Sequence, residues 1–212
     1  MLNPSPALLE SVRRAFHANG FAALTMEEMA GECSLTRRSL YNYFHSKGDA
    51  FRVYIDYNNG RAIKLGFEAG ASVKAEGGDA VDIMTAIMNV RYGDTRRSVE
   101  TSPHLVELNA VAFSLCRDIM ITYASRFHEE LGALIVALGD EGYLKLRDDF
   151  PPEAVAQALA NGARGVNQTL PPAPLETLEQ RYRDMCRAVL FGAVGPAGDT
   201  TKRKPRRRPP AA

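Results

Sequence analysis

Apolar residues recur at three- and four-residue intervals along most of the chain, and no segment alternates apolar and polar positions between hairpin turns as strands do. Leu8, Leu9, Val12, Ala15 and Phe16 share one face of a first helix, which Gly20 ends because glycine enters the left-handed cap conformation freely. Thr25, followed three residues on by Glu28, forms a capping box that starts a second, short helix with Met26, Met29, Ala30 and Cys33 inward. Ser34 and Leu35 make a tight connection, and Thr36 caps a third helix beginning at Arg37. A fourth helix runs from about Lys47 into residues 66–70, where Gly66 and Gly70 should weaken it.

Past Gly77 and Gly78 the helical pattern resumes. Val81, Ile83, Met84, Ile87, Met88 and Val90 suit a largely buried helix. The apolar positions from Leu105 to Leu138 suit a much longer one, with a break inside it left open. After Pro151–Pro152 two more helices are predicted, over 153–169 and from 174 to about 194. The pattern predicts an all-α fold without internal repeats. The final stretch, GPAGDTTKRKPRRRPPAA, is rich in proline and basic residues and is predicted to be disordered.

Charge changes this picture at one place only. The overall net charge of +1 hides a segment, KRKPRRR, with six positive charges, so that the region after Pro196 nets +5 and the rest −4. Otherwise 45% hydrophobic and 24% charged residues are ordinary for a globular chain. No apolar run is long enough to span a bilayer, and the N-terminus lacks a signal pattern, so a cytoplasmic protein with no membrane partner is expected. Cys33, Cys116 and Cys186 are widely spaced and suggest neither a disulfide framework nor zinc. His17, His45, His104 and His128 are scattered without ligand spacing, so no metal or cofactor is expected.

The segment TRRSLYNYFHSKGDAF, residues 36–51, concentrates aromatic, basic and hydroxyl side chains. On a helix over 37–44, Leu40 and Phe44 share an inner face, Arg38 and Asn42 point away from it, and Ser39 and Tyr41 flank. An aromatic-rich core helix is the plainer reading of this stretch, but core burial gives the arginines no purpose. A short, basic, donor-rich face suits DNA: arginine holds guanine with two hydrogen bonds, and Asn and Ser read base edges. Tyrosine hydroxyls, Lys47 and the helix start at Thr25 can hold phosphate oxygens. A helix, a tight connection and a second helix with an exposed N-terminal half form a helix-turn-helix.

From Gly20–Phe21 through Thr25, Met29–Ala30 and Ser34-Leu35-Thr36 to Leu40-Tyr41-Asn42-Tyr43-Phe44 and Lys47, the chain resembles the N-terminal domain of the TetR family of bacterial transcriptional regulators. The resemblance covers about residues 7–55. It departs at Cys33-Ser34, where the family has Ala-Gly, so Ser34 must take a turn conformation that suits glycine. Ser39 stands for a common threonine, and Gly48 and Ala50 stand where acidic and leucine residues are usual, which leaves the start of the fourth helix looser.

The resemblance implies a DNA-binding domain over 1–62, with its motif at about 25–44, and a larger helical ligand-binding and dimerisation domain over 63–195; the basic tail at 196–212 follows. It implies a ligand-responsive repressor that binds a palindromic double-stranded DNA operator as a homodimer. The DNA-binding residues would be Thr25, Thr36, Arg37, Arg38, Ser39, Tyr41, Asn42, Tyr43 and Lys47. Helices 153–169 and 174–194 would form the dimer interface, through Leu175, Leu178, Tyr182, Met185, Val189 and Leu190. An unidentified small-molecule effector would lie among residues 79–92 and 104–139, with Asn89, Arg91, His104, Asn109, Arg117 and Tyr123 as unranked polar candidates. Two alternatives stand beside this reading: a sequence-indifferent architectural DNA binder using the tail, and an enzyme on a helical scaffold. Against the enzyme, the sequence holds no phosphate loop, nucleophile elbow or metal spacing.

Overall fold

The computed structural model describes residues 1–99, 102–147 and 150–192, and among them every regular element is helical. In chain order the helices are α1 (Pro6–Asn19), α2 (Met26–Glu32), α3 (Arg37–Leu40), α4 (Lys47–Ala75), α5 (Ala80–Met88), α6 (Asp94–Val99), α7 (Leu105–Leu115), α8 (Arg117–Asp140), α9 (Pro152–Asn167) and α10 (Leu178–Phe191). A π-helical turn, Asn89–Gly93, joins α5 to α6, and a 3-10 turn, Leu175–Thr177, leads into α10. The basic segment after Pro196 lies outside the described residues.

The polar punctuation works as the sequence predicts. Gly20 closes α1 at φ 75°; a cap not singled out in the sequence is Ser5, which accepts the Leu8 amide at the start of that helix. The Thr25–Glu28 capping box is complete in both directions. Ser34 takes the left-handed conformation, with φ 55°. The start of α4 is firmer than expected. Ser46 accepts the Asp49 amide, Asp49 accepts the His45 amide, and Ala50 is fully buried where leucine is usual.

Two hydrophobic cores follow. Leu9, Val12, Phe16, Leu24, Met29, Leu40, Phe44 and Phe51 build the first, around α1–α3 and the start of α4. Ile63, Ile83, Met84, Ile87, Phe127, Leu131, Leu159 and Tyr182 anchor the second. Helix α4 runs unbroken between them, giving Phe51 and Tyr54 to the first and Ile63 to the second.

Two expectations need correction, and a point the sequence leaves open is resolved. Gly66 and Gly70 do not weaken α4, because a Cβ on Gly66 would stand 3.1 Å from the Ile87 carbonyl and one on Gly70 2.6 Å from Ile87 Cγ1. They are where α5 packs closest, and α4 continues to Ala75. The long apolar run breaks at Cys116, whose ψ of 22° leaves helical geometry; its buried side chain joins the first core while α8 turns to supply Phe127 and Leu131 to the second. The apolar stripe on α10 is also not a free face: Leu178 and Tyr182 are fully buried within the protomer, and the Tyr182 hydroxyl donates to Asn167 Oδ1 at 2.6 Å.

Candidate nucleic-acid interface

Helix α3 is a single turn. Leu40 N–H donates to Thr36 O and Tyr41 N–H to Arg37 O, but Asn42 and Tyr43 donate to Ser39 and Leu40, three residues back. The predicted helix over 37–44 therefore tightens after Leu40, while Leu40 and Phe44 remain fully buried as anchors. Thr36 fixes the start, since its hydroxyl accepts the Ser39 amide at 3.1 Å and lies 2.8 Å from the Ser39 hydroxyl. The stretch before α1 closes over the far end, where Leu2 N–H donates to the Asn42 carbonyl at 2.8 Å.

This scaffold leaves Thr36, Arg37, Arg38, Tyr41 and Asn42 exposed together, with Ser39 half-buried beside them. Arg37 lies over the Tyr41 ring at 5.8 Å, and its hydrogen bond to Tyr41 raises the guanidinium pKa further. Arg38 projects into solvent from the same turn. Tyr43 is half-buried and packs against the first core, which leaves its ring less available than that of Tyr41.

Thr25 and Lys47 stand apart from this cluster. The Thr25 hydroxyl is engaged with Glu28, donating to Oε2 at 2.8 Å and accepting the Glu28 amide at 3.2 Å. The Thr25 backbone amide, which donates to the same Oε2 at 2.8 Å, and then the Thr25 hydroxyl hold the Glu28 carboxyl below its ordinary pKa. Lys47 folds back, donating to the Ala22 carbonyl at 3.1 Å with its ammonium 4.9 Å from the Phe21 ring centre.

Behind this surface lies a set of long-range contacts that the sequence does not announce. Ala22 N–H donates to Glu107 Oε1 at 2.6 Å, and the Ser102 hydroxyl donates to the His17 carbonyl at 2.8 Å. Arg52 reaches both the Leu115 carbonyl and the Asp118 carboxylate. Each pair is more than sixty residues apart in the chain, so no local motif could have shown it. Together they fasten the first three helices and the start of α4 to α7 and the start of α8.

The unranked polar candidates of the helical region separate clearly. Asn109 and Arg117 are exposed. His104 sits beside Glu107 at 3.5 Å, under Gly20. Asn89 accepts from Arg97 at 2.6 Å, and Tyr123 lies against Gly60. Of the six, only Arg91 turns its charge into the second core, over Tyr92 and Phe127. The cysteines are poor nucleophiles: burial pushes the Cys33 thiol up to about 11 and Cys186 up to about 12, and also raises Cys116. Among the described residues no helix is long and apolar enough to cross a membrane.

The family profile of bacterial regulatory proteins, tetR family, matches residues 8–52, the segment that builds this surface. No curated protein matches the sequence. Solved structures share the fold over most of the chain. A TetR transcription regulator from Haloarcula marismortui ATCC 43049 is 20% identical at a TM-score of 0.63, covering 86% of this chain and 95% of its own. The fatty acid degradation regulator FadR from Bacillus halodurans is 14% identical at 0.61, covering 91% and 98%. PfmR, a TetR family transcriptional regulator from Thermus thermophilus, is 17% identical at 0.57, covering 90% and 100%. Residues 8–52 thus match the N-terminal domain of the TetR family of bacterial regulatory proteins, and the chain as a whole, with a larger helical domain behind that segment, shares the fold of solved TetR-family transcriptional regulators.

Proposed function

We propose that the protein is a ligand-responsive repressor that binds a palindromic operator as a homodimer, with residues 1–62 reading DNA and residues 63–195 binding the effector and the second protomer. One observation carries the DNA assignment. The turn of α3 buries Leu40 and Phe44 completely and presents Arg37, Arg38 and Asn42 to solvent. Arginine and asparagine are the side chains that hold guanine and adenine edges with paired hydrogen bonds, and a one-turn helix brings them to the major groove at its leading end. In this reading Arg37, Arg38, Ser39 and Asn42 read bases. Thr25, Thr36, Tyr41, Tyr43 and Lys47 hold the backbone, with Lys47 leaving Ala22 for a phosphate.

Dimerisation follows from the economy of recognition, because one short helix contacts few bases and a second half-site multiplies specificity. The outer faces of α9 and α10 are the proposed seam. Ala158 and Gly165 are small enough for close helix approach, and Phe191 stands 63% exposed at the end of α10. Effector response would pass through Ala22–Glu107, His17–Ser102 and Arg52–Asp118, since any shift of α7 against α8 must move the two reading heads relative to each other. Selection of bound fragments from a random DNA pool tests the proposal. Enrichment of an inverted repeat supports it, whereas binding without enrichment supports the architectural alternative.

A further inference from the structure

Arg91 lies on the π-helical turn between α5 and α6. Such a turn sacrifices regular hydrogen bonding and recurs where side chains must be re-aimed for function. Here it packs against α4, α9 and α10 and directs Arg91 to the Tyr92 ring, 5.0 Å away, and the Phe127 ring, 5.8 Å away. The guanidinium donates to Asn59 Oδ1 at 3.1 Å, a neutral acceptor. Its Nε is sealed from solvent and has no hydrogen-bond partner. No carboxylate among the described residues compensates its charge.

Two further basic groups face the same region. His128 of α8 also has a buried, unpartnered ring nitrogen, Nε2. Arg164 of α9 donates to Asn161 Oδ1 at 3.0 Å and acts on Arg91, Tyr92 and His128 alike. Burial, then the neighbouring Arg164 charge, lowers the pKa of both Arg91 and His128. A buried cation with cationic neighbours and no acid is destabilising in the free protein, and its natural complement is an anion. The surrounding packing is apolar: Phe127 and Leu131 are fully buried in the second core, and the partly buried Phe67 packs on Phe127.

We propose that this cluster anchors an acidic effector, its carboxylate held by Arg91 with His128 and Arg164 beside it, and its apolar body entering beside the partly buried Phe67 at the edge of the second core. The proposal rests on reading the helical domain as the effector domain. It fixes the class of ligand, an apolar acid, and singles out one residue as the anchor.

The test is direct binding without DNA. Decanoate and 2-naphthoate, each beside its uncharged amide, are titrated into wild-type, Arg91→Lys and Arg91→Met proteins. At least one acid should bind wild type, with its amide weaker by about tenfold or more and Arg91→Met likewise weaker by about tenfold or more. Arg91→Lys should retain part of the binding. Melting of the ligand-free proteins adds an independent readout: Arg91→Met should melt no lower than wild type, because it removes an uncompensated charge and keeps its bulk. Absence of binding by both acids, equal binding of acid and amide, or undiminished acid binding by Arg91→Met would overturn the proposal. Operator affinity, measured separately on the same preparations, distinguishes a failure of the regulator reading from a failure of the anion site.

Discussion

Arg52 of α4 grips Asp118 of α8 through two parallel hydrogen bonds, Nη1 to Oδ1 at 2.8 Å and Nη2 to Oδ2 at 2.6 Å, while the same Nη1 donates to the Leu115 carbonyl at 2.5 Å. One side chain thus fastens the root of the DNA-binding domain to the junction of α7 and α8. The hydrogen bond from Arg52 holds the Asp118 carboxyl down to about 2. A depressed carboxyl stabilises the fold fully above its unfolded value, about 4, and loses that contribution as pH falls through the folded value. Asp118→Asn should therefore be less stable than wild type at neutral pH, with the gap closing as pH approaches 2. Paired melting curves across that range check it; a gap independent of pH would contradict it.

His17 adds to the acid sensitivity in a higher pH window. It is half-buried with Nε2 3.3 Å from the Tyr54 hydroxyl, and burial, reinforced by the Arg13 charge, lowers its pKa to about 4. The folded protein keeps this ring neutral while the unfolded chain protonates near pH 6.5, so protons favour unfolding between about 6.5 and 4. Wild-type melting temperature should fall as pH drops through that window, and His17→Gln should fall less steeply. Parallel slopes would show that other groups govern the acid limb.

Two glycines make a paired test of packing. Gly70 gives its missing Cβ position to the fully buried Ile87, whereas a Cβ at Gly132 in α8 would meet nothing within 4 Å. Gly70→Ala should cost about 1–3 kcal/mol through overpacking. Gly132→Ala should stabilise by about 0.5–1 kcal/mol through helix propensity. Chemical denaturation of both variants measures the contrast, and equal signs would refute the close-approach account of α4 and α5.

Local signals are readable in the sequence wherever a side chain acts within one turn of its own backbone. Thr25 with Glu28, Gly20 after α1, and the strained Ser34 all behave as their neighbours dictate. The burial of Leu40 and Phe44 is readable for the same reason. Gly70 misleads because its role depends on Ile87, a residue of another helix. Leu178 and Tyr182 mislead because an apolar stripe does not say whether the protomer or a partner covers it. Arg91 can be named but not singled out, since its distinction is that no carboxylate among the described residues pairs with it in the fold.

The contrast between buried Leu178 and exposed Phe191 defines a test of the proposed dimer seam. Phe191→Glu places charge on an exposed position, so it should yield folded monomers with weakened operator binding. Leu178→Glu strikes the protomer core and should unfold the protein instead. Sedimentation combined with circular dichroism separates the two outcomes. A folded, unaltered dimer for Phe191→Glu would remove the α10 terminus from the interface.

The most direct measurement of the central claim is the base preference of the wild-type protein and of Arg37→Ala and Arg38→Ala, read position by position on the selected operator. Each alanine variant should bind roughly ten- to a hundredfold more weakly and relax preference at the position its arginine contacts, symmetrically in both half-sites. Lys47→Ala, in contrast, should weaken all sequences alike. Unchanged affinity and unchanged preference in both arginine variants would contradict the claim that the exposed turn of α3 reads DNA.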